Sequence, residues 1–221
     1  MKKNRGMRRK GLARMLTAMI LAAALLSGCA AAEETLSAWE HEGGWVSFPL
    51  EAQKEELNEA WEEGAKVFGE LIGLDKLDGA TLKKMLLQGY AYETHFDNLA
   101  IDGSRVTVTS QEGEELFSHE YEWAETLENA MQGAAVHVFR SKDAKAGQFT
   151  YLCMTEPKTT EGESGNYSSF NLFHAEKDYR EMFDKKNVQI PCMMIPADTG
   201  MEGLTAAVKD IFTSPAVIVK P

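Results

Sequence analysis

The sequence is short of the residues from which catalytic and metal motifs are commonly built. It has three cysteines in 221 residues, Cys29, Cys153 and Cys192. None forms a Cys-x-x-Cys pair, so there is no zinc-ribbon signature. It also lacks a nucleophile elbow, a phosphate-binding glycine loop, a His-Glu-x-x-His pair and EF-hand spacing. No acid–base or nucleophile constellation is visible, so an enzyme is not expected. The apolar run at residues 15–26 is 12 residues long, too short to span a bilayer as a mature helix. Basic residues are scarce beyond residue 28, where 16 Lys and Arg face 34 Asp and Glu. A body that acidic offers phosphates little, which argues against a nucleic-acid partner, and it favours solubility and cation attraction.

What is present begins with an address. Residues 1–28 carry seven basic side chains (Lys2, Lys3, Arg5, Arg8, Arg9, Lys10 and Arg14) and no acid. A basic start, a short apolar core and small residues before a cleavage point describe a secretory signal peptide. The core ends in Leu26-Ser27-Gly28-Cys29, which resembles the bacterial lipobox. That resemblance implies cleavage before Cys29 and lipidation of Cys29. The expected organisation is a signal peptide over 1–28, a lipidated tether over 29–34 and a domain over 35–221. The chain would then be an extracytoplasmic, membrane-anchored lipoprotein. Such a compartment permits a disulfide, and the sequence leaves open whether Cys153 and Cys192 pair or stay free.

Leu36, Trp39, Trp45, Phe48 and Leu50 read as a docking segment that buries two tryptophans. Helical spacing over 51–74 places Leu57, Trp61, Phe68, Leu71 and Ile72 on one face. A shorter helix follows at 80–88, with Leu82, Met85 and Leu86 inward and Gly89 at its end. From Tyr90 the period changes to two. Strands are expected at 90–96, 99–101, 105–110, 116–123, 134–140, 148–155, 167–174 and 188–195, the last interrupted by Pro191. Asp102-Gly103 and Glu112-Gly113 are turn signals. Residues 158–166 read as a polar loop, 176–186 as helix or extended turn, 203–212 as an amphipathic helix and 216–219 as a closing strand. Two helices followed by short hairpin-linked strands imply a mainly β, α+β fold, an antiparallel barrel or sandwich with helical additions and a short C-terminal helix.

Five histidines are the main candidates for chemistry. His137 lies between Val136 and Val138 and reads as a structural strand residue pointing away from both. His95 and His119 sit near Asp97 and Glu120 on what read as solvated faces, and His41 lies in an acidic loop. His174 closes a strand near Glu176 and Asp178. Imidazole with carboxylate is reasonable zinc chemistry, and Cys192 could add a thiolate. Against this, a free cysteine is often a small buried hydrophobe.

Several motifs in order resemble ZinT, the extracytoplasmic zinc-binding proteins of lipocalin-like (calycin) fold. Thr35-Leu36-Ser37-Ala38-Trp39 and Trp45-Val46-Ser47-Phe48-Pro49-Leu50 are similar to the family's opening motif. Gly89-Tyr90-Ala91 and the Ile101-Asp102-Gly103 turn are similar to its first hairpin. Phe149-Thr150-Tyr151-Leu152-Cys153 resembles a core strand, and Tyr167-Ser168-Ser169-Phe170 the strand leading to the first zinc histidine. Pro196-Ala197-Asp198, the 203–212 helix and Pro215 match its C-terminal arrangement. The resemblance covers about residues 35–215. It implies a lipocalin-like barrel, zinc as cofactor and a link to a zinc ABC importer, since the same domain occurs fused behind some importer receptor lipoproteins.

The site departs from the family pattern. The first family histidine falls at Phe173 or His174, depending on a one-residue shift. The His-x-His pair falls at Ile190-Pro191-Cys192. Isoleucine cannot bind zinc and cysteine can, so the metal residues expected are His174 and Cys192, completed by a carboxylate or water. The function expected is binding of zinc or a similar divalent metal, in homeostasis or delivery to an importer. The alternative is a calycin barrel with a decayed metal site that binds an apolar small molecule or a protein partner. Met154, Met182, Met193, Met194 and Met201 motivate it, as adaptable packing groups.

Overall fold

The structure is a computed structural model, and it describes residues 35–74, 76–89, 96–131, 133–162, 164–183 and 191–213. Nine strands run antiparallel to their neighbours: β1 (Trp45–Ser47), β2 (Asn98–Asp102), β3 (Arg105–Thr109), β4 (Glu115–Met131), β5 (Ala134–Ser141), β6 (Tyr151–Met154), β7 (Lys158–Gly162), β8 (Gly165–Ala175) and β9 (Cys192–Pro196). Their order is β6-β5-β4-β3-β2-β1-β9-β8, and a β6–β8 pairing closes the ring. The result is a closed eight-stranded barrel with β7 added to β8 as a hairpin arm. This is the mainly β, α+β barrel with helical additions that the change of period left as one of two options, and the lipocalin-like fold that the family resemblance implied. Closure removes free edges, and alternate side chains then face inward and outward.

Alternation sorts the core into an inside and two outside layers. Inward-facing Leu99, Ile101, Val106, Val108, Phe117, Tyr121, Phe139, Leu152, Met154, Phe170, Leu172 and Met194 meet Trp39 and Trp45. Trp45 packs edge-on against Phe170 at 4.8 Å, and Trp39 does so against Phe139 at 5.4 Å. Both indoles are hydrogen-bonded: Trp45 Nε1 donates to the Trp39 carbonyl (2.7 Å) and Trp39 Nε1 to the Thr155 carbonyl (2.8 Å). The docking segment therefore buries its tryptophans as expected. It also contributes β1, which the sequence did not suggest. Gly44 makes the entry to β1 possible. Its φ is +76°, and a Cβ there would sit 2.7 Å from the Leu99 carbonyl oxygen.

The helices are α1 (Phe48–Glu51), α2 (Asn58–Ile72), α3 (Gly79–Gly89) and α4 (Met201–Thr213). They cover the outer face of β1 and β9 through Phe48, Leu57, Trp61, Leu82, Leu204, Val208 and Ile211 against Val46 and Ile195. The expected helix at 51–74 is broken in the structure. Chain turns at 52–54, and the Ala52 carbonyl accepts the Trp61 indole N–H at 3.0 Å. Its packed face also differs. Leu71 and Ile72 are exposed (51% and 45%), as is Met85 (49%), while Ala60, Gly64 and Ala65 lie inside. Small residues let α2 approach its neighbours closely, and hydropathy spacing undervalues them.

A second outer layer covers β5, β6 and β8. Val136, Val138, Cys153 and Phe173 lie under Leu127, Met131, Tyr151, Tyr179, Met182 and Phe183. Strand β4 reaches this layer because it runs to Met131, eight residues past the expected end. A bulge between Trp123 and Glu125 shifts the register. Trp123 packs against the interior and Leu127 against the outer layer. Such a switch erases a period-two pattern.

The expected loop at 158–166 contains a hairpin, β7 paired with β8. Both its faces are polar, with Thr159 Oγ1 and Ser168 Oγ 2.9 Å apart, so no apolar alternation marked it. The 176–186 stretch holds a 3-10 turn at Tyr179–Phe183. The strands expected at 90–95 and 188–190, and the closing strand at 216–219, lie outside the described residues. No described helix is long and apolar enough to cross a membrane.

Candidate metal centre

Strand register places Phe173 and His174 on opposite sides of the barrel wall. Phe170 and Leu172 face the barrel interior, and Phe173 lies in the outer layer under Phe183. His174, two residues beyond Leu172, shares the inner side. Its ring packs against Phe96 (5.4 Å) and Phe149 (5.1 Å), both interior residues. Nδ1 lies 3.1 Å from the Gln148 carbonyl. A carbonyl only accepts, so Nδ1 carries the hydrogen, and the ring's metal-competent nitrogen is Nε2. A backbone carbonyl fixing the ring in this way is the usual support of a metal-binding histidine.

Cys192 also faces inward. It stands opposite Leu172 in the β8–β9 ladder, followed along the wall by Met194 opposite Phe170. His174 and Cys192 are thus diagonal neighbours on adjacent strands, a relation that places Cβ atoms about 7–8 Å apart or a little less. Cys192 is buried, with its Sγ 3.5 Å from Met194 Sδ and 3.6 Å from Ser47 Oγ. Cys153 faces the opposite side of the barrel wall, in the outer layer, and no disulfide joins it to Cys192. Burial, and then the charge of Glu125, push the Cys153 thiol up to about 12.

The other histidines are occupied in different ways. His137 is buried, edge-on to Trp39 at 5.3 Å and 3.3 Å from Thr126 Oγ1, on the side opposite Val136 and Val138. That is the structural role expected of it. His119 is not on a solvated face. It stacks on Phe117 at 5.3 Å, with Nδ1 3.3 Å from Asp143 rather than from Glu120. His41 packs on Trp45 and reaches Asp198 at 3.1 Å. His95 lies outside the described residues. Spacing could not reveal the Asp143 and Asp198 partners, which arrive from distant turns.

A closed zinc site takes four nitrogen, sulfur or oxygen donors. Among the described residues no group of three His, Cys, Asp or Glu gathers as one. His174 and Cys192 would be two protein donors at most, short of a closed site of three histidines.

No protein-family model and no curated protein matches the sequence. Solved structures similar in fold include the following two. One is the Zn(II)-bound ZinT-like domain of Streptococcus pneumoniae AdcA, with TM-score 0.54 and 18% identity over 82% of this chain and 93% of that one. The fold is ZinT-like. The other is Zn(II)-bound AdcA from the same organism, also with TM-score 0.54 and 18% identity, over 83% of this chain. This chain spans 36% of that AdcA chain. At such identity the likeness concerns the backbone, and the ligands have to be argued from the residues present.

Proposed function

We propose that this chain is an extracytoplasmic protein that binds zinc or a similar divalent metal at His174 and Cys192. It would be anchored through a lipid on Cys29 and act in metal homeostasis or in delivery to an importer. The observation that carries the reading is the inward, diagonal placement of His174 and Cys192 in a fold shared with zinc-bound domains. Gln148 presets the histidine ring, and an acidic body raises the local cation concentration. Two protein donors hold zinc less tightly than three histidines and release it more readily, which suits delivery. The importer link rests on the family resemblance.

Calorimetric titration of the metal-stripped, reduced protein with zinc tests this. Saturation near one equivalent is expected, with the response lost in His174→Ala and in Cys192→Ala. An unresponsive parent protein would overturn the reading. The barrel would then be one without zinc chemistry, and binding of a protein partner would move forward. An exposed apolar stripe, Val67, Leu71, Ile72 and Leu74 on and just beyond α2, supports that second reading. An apolar small molecule is less favoured, because aromatic rings occupy the interior.

A further inference from the structure

The donor set on the inner wall disagrees with zinc in a specific direction. Going down the β8–β9 wall from its outer end, the order is His174, then Cys192, then Met194. The two sulfurs are 3.5 Å apart, and both residues are buried, at 1% and 0% exposure. A thioether is a poor ligand for zinc, while thiolate with thioether is the soft combination that selects Cu(I). Cu(I) is also satisfied by fewer ligands than tetrahedral zinc, so a site short of three histidines is no handicap to it. Ser47 Oγ, 3.6 Å from Cys192 Sγ, can donate a hydrogen bond to the thiolate once its proton has left. The half-buried His174 is more exposed than Cys192 and Met194, and lies beyond Cys192 on the side away from Met194.

We infer that Cys192 and Met194, entered past His174, form a soft-metal site that prefers Cu(I) to zinc. The inference deepens the metal-binding reading and rests on it. Binding exchanges the thiol proton for the metal ion, with no change of oxidation state. Cys29 and Cys153 are the chain's other thiols, so the test uses a Cys29→Ala, Cys153→Ala background in which Cys192 is the single thiol.

Under anaerobic conditions Cu(I) is titrated against a competing chelator, with and without zinc, and the loaded protein is read by copper-edge X-ray absorption. The expected results are displacement of zinc by one equivalent of Cu(I) and two sulfur scatterers on the copper. Met194→Leu keeps the volume and should keep the fold. It should lose one sulfur scatterer and weaken Cu(I) by about tenfold, with zinc affinity unchanged. Zinc that holds against Cu(I), or a Met194→Leu protein with unchanged Cu(I) affinity and sulfur count, would overturn the inference alone. A protein that binds neither ion would overturn the metal reading with it.

Discussion

At the scale of single residues, burial and partner decide what each polar group can do. Trp39 is nearly fully buried and gives its indole hydrogen to the Thr155 carbonyl. Trp39→Phe strands that carbonyl and should cost about 1–3 kcal/mol, read as a lower urea midpoint with an unchanged slope. Glu125 illustrates a charge effect on the outer wall. Its carboxylate accepts hydrogen bonds from Tyr179 and from Arg180, which contacts both its oxygens at 2.6 and 2.7 Å. The Tyr179 bond, then the Arg180 bond, hold its pKa below the ordinary 4.5. Folding therefore favours the ionised form. The contribution is complete above pH 4.5 and fades as pH falls through the lower folded value. Stability measured against pH should drop less steeply on the acid side in Glu125→Gln than in the parent, and parallel curves would contradict the assignment. Cys192 and His174 were legible as residue types from the sequence. Their inward direction was not, because it depends on register, and Met194 became a candidate donor only once its sulfur was seen against Cys192.

Elements are held by close approach as much as by apolar area. Gly79 begins α3 where a Cβ would lie 2.6 Å from the Glu62 nitrogen and 2.8 Å from the Trp61 carbonyl carbon, both backbone atoms of α2. Gly79→Ala has to push the two helices apart and should cost about 1–3 kcal/mol, seen as a lower thermal midpoint. Strands β2, β3 and the first half of β4, each with one apolar and one polar face, were readable from the sequence, as were β5 and most of β8. The misses share a physical cause, an interrupted or absent alternation. The β4 bulge moves apolar residues to the other face, β7 is polar on both sides, and β1 is three residues long. On α2 the error ran the other way. Leu71 and Ile72 look like core and are exposed, while alanine and glycine carry the contact.

For the whole molecule, closure of the ring through β6 and β8 turns a meander into a wall with two distinct sides. That wall keeps Cys153 outside and Cys192 inside, so the Cys153–Cys192 disulfide that the sequence left open does not form. The proposed lipid anchor on Cys29 belongs to this scale too. Expressed in a bacterium, the chain should fractionate with membranes and incorporate labelled fatty acid, and Cys29→Ala should do neither; equal fractionation of the two would contradict the anchor. The central claim is that a metal ion sits on the inner wall between His174 and Cys192. Anomalous diffraction at the zinc edge from zinc-loaded crystals tests it most directly. The account predicts one strong peak within bonding distance of His174 Nε2 and Cys192 Sγ. A peak only at His41 and Asp198, or at His119 and Asp143, or none, would contradict it.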